Sequence, residues 1–203
     1  MPEAAGQRPL RIAPSELVLG ASAAARMARA QALAAAWLEQ GQALGEGRRV
    51  VYIATAQAWD AEMRGLVDAH RRGQGRPGMV TVEEPTELAH ALGSGSRPDT
   101  LIVVDCLTLW LTASLMQAMQ PDESDAAQAA TFTAPANLAD AVRACAGPLV
   151  LVSHQLDPAT LPQRTDAERF LETLGTLNQQ AAAACARVTL VTAGEALTLK
   201  DMA

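Results

Sequence analysis

The sequence contains few aromatic residues, few cysteines and few charges, and each shortage narrows the class of protein. Aromatic residues make up 3% of the 203 residues, so a core must be built mainly from Ala, Leu and Val. Charged residues reach only 19%, while 49% of the residues are hydrophobic. Disordered chains show the opposite balance. The composition therefore predicts a folded globular protein.

Other absences exclude several classes of protein. The three cysteines, Cys106, Cys145 and Cys185, are far apart and form no CxxC motif, which indicates buried apolar thiols in a reducing compartment. No apolar run reaches the length of about 18 residues that a membrane helix needs. The N-terminus lacks the pattern of a signal peptide. A net charge of -6 argues against nucleic acid as a partner. We expect a cytoplasmic protein without a membrane span, whose pocket can still accept a small phosphorylated ligand.

Short apolar strands alternate with helices along the chain. The sequence predicts strands at 16–19, 49–55, 79–82, 100–104 and 148–153, helices at 21–40, 58–72, 86–92, 107–119, 136–146 and 166–186, and two last strands at 188–193 and 196–199. Continuous apolar strands are typical of parallel sheets buried on both faces. The predicted fold class is α/β, a P-loop NTPase-like, mostly parallel sheet flanked by helices, with a hairpin-like C-terminal pair of strands. We expect a flexible tail at 1–14 and a single domain at 15–203, with a flexible insertion at 120–136.

The end of the first strand lies where a Walker A phosphate loop would be expected, because it follows a buried strand and opens a helix. Gly20 occupies the first glycine position of that motif. Ala25 replaces the second glycine, Arg26 replaces the lysine, and Met27 replaces the Ser or Thr that binds Mg²⁺. A methionine cannot bind Mg²⁺, which prefers hard oxygen ligands. The segment is either an ordinary strand-to-helix turn or an altered phosphate loop.

The second strand leads to a histidine among arginines. His70 is followed by Arg71, Arg72 and Arg76 near the end of a predicted helix. An imidazole is a workable nucleophile near neutral pH, and a guanidinium matches the oxygens of a phosphate. These residues predict either a site of attack on a nucleotide phosphate or an ordinary basic surface at a helix end.

Acidic residues follow the next two strands. Glu83 and Glu84 stand before a proline, where they could cap a helix or hold a ribose or a metal ion. Asp105 directly follows a hydrophobic strand, which is the form of a Walker B carboxylate that binds Mg²⁺ near phosphates. His154 follows the strand at 148–153 and could reach the same site, because ligands bind at the carboxyl ends of parallel strands.

Taken in order, these segments resemble the bifunctional adenosylcobinamide kinase / adenosylcobinamide-phosphate guanylyltransferase family of cobalamin biosynthesis. The most specific stretch is Val-Asp-Cys-Leu-Thr-Leu-Trp-Leu at 104–111. The other matching stretches lie at 52–55, 62–63, 70, 76–77, 82–85, 149–153, 162, 169–170, 175 and 177–179. The resemblance runs from about residue 17 to residue 200 and implies a P-loop fold and a homotrimer.

The resemblance also implies an activity and a set of site residues. Enzymes of this family phosphorylate adenosylcobinamide with ATP or GTP, then accept GMP from GTP on a histidine and pass it to the cobinamide phosphate. By resemblance, His70 is that catalytic histidine, and Glu83 and Asp105 bind Mg²⁺. The implied nucleotide-binding residues are Gly20, Ala21, Ser22, Ala25, Arg26, Met27, Ala54, Thr55, Ala56, Arg71, Arg72, Arg76, Glu83 and Asp105.

The sequence departs from the family pattern at two places. The family has Gly-Lys-Ser where this chain has Ala25, Arg26 and Met27, and it has Asn-Glu-Val-Gly where this chain has His-Gln-Leu-Asp at 154–157. Three hypotheses stay open: a working bifunctional enzyme with Arg26 in the role of the lysine, a guanylyltransferase without the kinase, and a non-catalytic paralogue that binds nucleotide or corrinoid. The structure of residues 20–27, an open anion-binding loop or a closed turn, bears on this choice.

Overall fold

One sheet of seven strands organises the residues that the computed structural model describes, namely 10–56, 78–118, 134–155 and 165–202. Its order is β3-β2-β4-β5-β1-β6-β7, and every neighbouring pair is parallel except β6 and β7. The strands are β1 (Ser15–Gly20), β2 (Arg49–Ala54), β3 (Met79–Glu83), β4 (Thr100–Asp105), β5 (Leu149–His154), β6 (Arg187–Thr192) and β7 (Glu195–Asp201). The predicted α/β class and its antiparallel C-terminal pair are confirmed.

Helices cover both faces of the sheet. They are α1 (Ala23–Leu44), α2 (Leu88–Gly95), α3 (Leu107–Ala118), α4 (Ala134–Ala144) and α5 (Thr165–Ala184). Neighbouring residues of a strand point to opposite faces, so Val18 packs in the core under α1 while Leu17 packs in the core under α2 to α5. Because both faces are covered, the central strands carry apolar side chains on both faces. Within the described ranges, no helix is long and apolar enough to cross a membrane.

Several predicted segments lie outside the described residues. They are residues 1–9 of the predicted tail, the helix predicted at 58–72, and most of the insertion predicted at 120–136. Residues 10–14, which the sequence also assigns to the tail, contact the sheet: the carbonyl of Pro14 accepts a hydrogen bond from the N–H of Leu149. The three cysteines are free, and Cys106 and Cys185 are buried as predicted, whereas Cys145 is only half-buried.

Helix α1 is longer than the sequence predicts. The prediction that it stops before Gly41 is wrong, because the helix continues to a left-handed cap at Gly45, where φ is 70°. Gly41 lies against the side chain of Arg48, and a Cβ atom there would come within 2.7 Å of it. The guanidinium of Arg48 in turn stacks on the ring of Trp37, 3.9 Å from its centroid. Gly41 therefore makes room for a packed side chain and does not end the helix.

A buried ion cluster connects β1, β6 and β7 with helix α1. Glu16 on β1 is 1% exposed, and its Oε1 accepts hydrogen bonds from Arg29 Nη2 on α1 at 3.0 Å and from Thr189 Oγ1 on β6 at 2.8 Å. Its Oε2 accepts from Arg187 Nη1 at 3.4 Å, and Arg187 also pairs with Asp201 on β7 at 3.2 Å. One carboxylate thus connects two strands and a helix.

We predict that Glu16→Ala lowers the free energy of unfolding by about 3–5 kcal/mol, because it leaves two arginines without their buried partner. Chemical denaturation followed by circular dichroism measures this loss. The matched control is Asp140→Ala, which breaks an ion pair with Arg143 whose side chains are 83% and 55% exposed. Such an exposed pair contributes at most about 1 kcal/mol. Equal losses in the two variants would contradict a structural role for the cluster.

Candidate functional site at the carboxyl ends of the strands

The carboxyl ends of five strands meet at one edge of the sheet. Gly20 at the end of β1 is in register with His154 at the end of β5. Ala54 at the end of β2 is in register with Glu83 on one side and Asp105 on the other. The two carboxylates are therefore separated by one strand. In parallel α/β sheets, ligands bind at this edge.

The connection between β1 and α1 is a short turn. Strand β1 ends at Gly20, and only Ala21 and Ser22 precede the first helical residue, Ala23. Ser22 is the N-cap, and its Oγ accepts a hydrogen bond from the N–H of Ala25 at 3.3 Å. Alanine is the strongest helix former, so the alanines at 23–25 continue the helix back towards the strand. Positions 20–22 therefore form a closed turn and positions 23–27 belong to α1, so this segment is not an open loop.

Gly20 and Met27 both take part in packing. A Cβ atom at position 20 would lie 2.5 Å from the carbonyl oxygen of Val191 on β6, so the close approach of that strand requires glycine. Met27 is buried in the core that α1 forms with the sheet, together with Val18 and Ala30. The position where a phosphate loop has its Mg²⁺-binding hydroxyl thus points an apolar side chain into the core.

The guanidinium of Arg26 turns back onto the end of β1. The residue is 2% exposed, and its Nη1 donates to the carbonyl oxygens of Gly20 and, at 2.9 Å, of Ala21. Its Nη2 contacts Nε2 of His154 on the neighbouring strand. Its Nε has no hydrogen-bond partner among the described residues. Burial lowers the pKa of Arg26. The cation therefore bridges β1 and β5 through backbone carbonyls and one imidazole.

Contacts with Arg26, Thr108 and Asn178 orient His154. A guanidinium only donates hydrogen bonds, so Nε2 of His154 accepts from Arg26 and the ring proton lies on Nδ1, which donates to Thr108 Oγ1 at 3.1 Å. The same hydroxyl oxygen accepts from the backbone N–H of His154 at 3.1 Å. Asn178 Nδ2 donates to the carbonyl of His154 at 3.0 Å. Burial, and then the charge of Arg26, lower the pKa of His154, which keeps the ring neutral.

The two departures from the family pattern meet at this contact. Arg26 occupies the lysine position of the phosphate loop, and His154 occupies the asparagine position after β5. The sequence presents them as separate changes, 128 residues apart. The only sequence signal for their contact is that His154 stands at the end of one strand and Arg26 lies at the start of the helix that follows another, and these two strands, β5 and β1, are neighbours in the sheet.

Thr55 supports the end of β4. The residue is 0% exposed, and its N–H donates to the carbonyl of Asp105 at 3.1 Å. Its Oγ1 accepts from the N–H of Cys106 at 2.8 Å and donates to the carbonyl of Cys106 at 2.7 Å. The peptide bond between Asp105 and Cys106 is cis. The Thr55 side chain is therefore engaged with the backbone that carries Asp105, while Ala54 and Ala56 beside it are half-buried.

The two adjacent glutamates after β3 have different roles. Glu84 Oε1 accepts from the N–H groups of Thr86 at 3.1 Å and Glu87 at 2.7 Å, which orders the turn before α2, while the N-cap position of that helix has no side-chain capping bond. Glu83 is exposed and Asp105 is half-buried, and each is the last residue of its strand, so both lie at the carboxyl edge of the sheet. The described residues contain no group of three or more potential metal ligands. Two carboxylates suit Mg²⁺, which is commonly held by one or two carboxylates together with water and substrate phosphates.

The predicted nucleophile and its arginines lie outside the described residues. They are His70, Arg71, Arg72 and Arg76. Their roles stay predictions from the sequence, and the described site consists of the ends of β1 to β5 with Arg26, Thr55, Glu83, Asp105 and His154.

Comparison with known proteins identifies the family. The family model described as "Cobinamide kinase / cobinamide phosphate guanyltransferase" matches residues 17–199. The chain belongs to this family. A bifunctional adenosylcobalamin biosynthesis protein CobP of Pseudomonas aeruginosa is 35% identical over 186 residues, which is 91% of this chain and 96% of that protein. A bifunctional adenosylcobalamin biosynthesis protein CobU of Escherichia coli is 32% identical over 77% of this chain and 89% of that protein.

One similar solved structure is that of an ATP synthase subunit NeqB from Nanoarcheaum equitans. It matches 90% of this chain and 46% of that chain, with a TM-score of 0.47 and 8% sequence identity. The resemblance that the sequence shows to the cobinamide enzymes is thus confirmed by the family model and by the relatives.

We predict that Thr55→Val lowers the free energy of unfolding by about 1–3 kcal/mol, because the buried N–H and carbonyl of Cys106 lose their partner while the side-chain volume is kept. Urea denaturation measures the loss. Thr55→Ser is the matched control, since it retains the hydroxyl. If the valine variant is as stable as the serine variant, the hydroxyl does not hold the end of β4.

Proposed function

We propose that this chain transfers GMP from GTP to adenosylcobinamide phosphate through an adduct on His70, and that its kinase step is strongly reduced. Membership of the cobinamide kinase/guanyltransferase family and the match around His70 support the transferase. The observation that carries the second part is the position of Arg26, whose donors are engaged with the carbonyls of Gly20 and Ala21 and with His154.

The kinase reaction depends strongly on the phosphate loop. A kinase accelerates transfer of the γ-phosphoryl group by positioning it and by neutralising its charge. In a Walker A loop the lysine contacts the β- and γ-phosphates and the Ser or Thr hydroxyl binds Mg²⁺. In this chain Arg26 would have to leave its backbone and imidazole partners to reach a phosphate, and Met27 is buried in the core. Each change removes stabilisation of the transferred group.

GMP transfer makes a different demand on the protein. A nitrogen of the His70 imidazole would form a bond to the α-phosphorus of GTP while the bond to the pyrophosphate oxygen breaks. In the second step a phosphate oxygen of adenosylcobinamide phosphate would form the new bond to the same phosphorus, and the phosphorus–nitrogen bond breaks. The proposed nucleophile is therefore a side chain that does not belong to the altered turn. Its activation follows the general logic of covalent catalysis by histidine.

The two carboxylates at the sheet edge complete the proposal. Asp105 and Glu83 would hold Mg²⁺, with the remaining positions taken by water and nucleotide oxygens. Bound there, Mg²⁺ supplies neutralisation of phosphate charge. Thr55 fixes the backbone of Asp105 and so keeps this carboxylate at the end of β4. The homotrimer that the family resemblance implies and the cytoplasmic location that the composition predicts belong to the same proposal.

A second candidate is the full bifunctional enzyme. It is favoured by the position of the Arg26 cation, which stays at the carboxyl end of β1 in the place of the family's lysine. Arginine matches the oxygens of a phosphate with two parallel hydrogen bonds. In this case Arg26 would exchange its carbonyl partners for phosphate oxygens when a nucleotide binds.

We predict that incubation with Mg²⁺ and GTP labelled on the α-phosphate gives a covalent protein adduct, which is lost in His70→Ala. His90→Ala is the matched control, because His90 is exposed on α2 and is not one of the residues at the strand ends. The adduct is detected after denaturing electrophoresis. Absence of an adduct, together with absence of GTP binding by calorimetry, would contradict both enzyme hypotheses and favour a non-catalytic paralogue.

We predict that the triple variant Ala25→Gly/Arg26→Lys/Met27→Ser phosphorylates adenosylcobinamide with ATP about 100-fold faster than the natural chain, since one preorganised group that stabilises transition-state charge contributes this much. The rate is measured by product formation under saturating ATP. Thermal unfolding of the variant serves as the control, because Met27 packs in the core. Equal, fast phosphorylation by both proteins would establish the bifunctional alternative.

A further inference from the structure

We propose that His154 is a positioning residue that holds Arg26 in its folded-back conformation and thereby lowers the affinity of the β1 end for a polyphosphate. The inference rests on the proposed function only in the choice of ligand, because a nucleotide presents a polyphosphate to this edge of the sheet. The test below measures binding and not chemistry. Its result is therefore separate from the result of the adduct experiment.

The first step is the position of the two residues in the sheet. Gly20 and His154 are register partners on β1 and β5. The carbonyl of Gly20 accepts from the backbone N–H of Gln155 at 3.2 Å and also from Arg26 Nη1. The guanidinium therefore lies across the ends of two adjacent strands, with a backbone carbonyl on one side and the imidazole on the other.

The second step is that contacts other than the one with Arg26 already fix the orientation of the imidazole. The ring nitrogen Nδ1 and the backbone N–H of His154 both donate to Thr108 Oγ1 on α3. Asn178 on α5 donates to the carbonyl of His154, and its own Oδ1 accepts from Ser153 Oγ at 2.7 Å. An acceptor that is already ordered costs less conformational entropy to engage than a mobile side chain. His154 is therefore a preorganised partner for the guanidinium.

The third step is competition for the donors of Arg26. A guanidinium binds a phosphate best when two of its N–H groups point at the phosphate oxygens. Both Nη atoms of Arg26 are engaged with protein acceptors, and only Nε lacks a partner among the described residues. A polyphosphate would have to displace the imidazole to gain a bidentate contact. The contact with His154 therefore opposes anion binding at this place.

The charge balance makes the contact exchangeable. The imidazole partner is neutral, and within the described part of the chain no carboxylate forms an ion pair with Arg26. Burial lowers the pKa of Arg26, and the charge of Asp105 acts in the opposite direction. A buried cation whose partners are all neutral has a burial cost that an opposite charge would reduce. Removing the imidazole acceptor raises that cost and should favour a hydrogen bond from Nη2 to a phosphate oxygen.

We predict that His154→Ala binds pyrophosphate about tenfold more tightly than the natural chain, since one charge-assisted hydrogen bond of Arg26 becomes available to the ligand. Isothermal titration calorimetry with pyrophosphate, without Mg²⁺, measures the affinity. His90→Ala is the matched control and should leave the affinity unchanged. The decisive comparison repeats His154→Ala in an Arg26→Met background, where the gain should disappear because the two residues are coupled.

Thr108→Val provides a second variant that keeps the side-chain volume. It removes the hydroxyl that orients His154, so it should raise the affinity for pyrophosphate in the same direction by a smaller factor. Thermal unfolding shows which variants are folded. If His154→Ala does not fold, the affinity of Thr108→Val for pyrophosphate decides the test. Unchanged or weaker binding in the folded variants, or a gain that persists in the Arg26→Met background, would overturn the proposal. A GMP adduct without any gain in affinity would overturn it and leave the transferase standing.

Discussion

The buried guanidinium of Arg26 connects the ends of β1 and β5, and the shape of the candidate site depends on it. The side chain can reach both strand ends only because α1 begins at Ala23, directly after the capping residue Ser22. The alanines at 23–25 favour helix at the place where a glycine-rich loop would stay open. Local helix propensity thus sets the point on α1 from which the side chain of Arg26 extends. The carbonyls of Gly20 and Ala21 then accept its hydrogen bonds.

The buried charges at the two ends of β1 differ in whether an opposite charge lies beside them. Near its start, the carboxylate of Glu16 is balanced by Arg29 and Arg187, so each charged partner is matched by an opposite charge. At its end, Arg26 has carbonyls and a neutral imidazole as partners, and its Nε has none among the described residues. A complete ion cluster stabilises the fold, whereas an incompletely matched cation retains affinity for an anion. The candidate site therefore lies at the edge with the unbalanced charge.

Much of the fold was predictable because its strands are apolar on both faces and alternate with helices. The rule that ligands bind at the carboxyl ends of strands also selected Gly20, Asp105 and Glu83, which lie at one edge. The direction of individual side chains was not predictable. Thr55 turns inward to the Cys106 peptide, a contact over 51 residues that no local pattern encodes. Gly41 stays helical because of a side chain that packs on it from outside the helix.

The contact between Arg26 and His154 changes the meaning of the two departures from the family pattern. If the changes were unrelated, a buried arginine would lack an acceptor for Nη2, and His154 would lack a donor for Nε2. Each unmatched buried group of this kind costs about 1–3 kcal/mol. In the structure each residue satisfies the other, and Thr108 fixes the orientation of the imidazole. Reverting only one of them would leave the other without its partner. The two departures from the family pattern are therefore linked by one contact, between Arg26 and His154. The effect of the altered turn on nucleotide binding should depend on both residues.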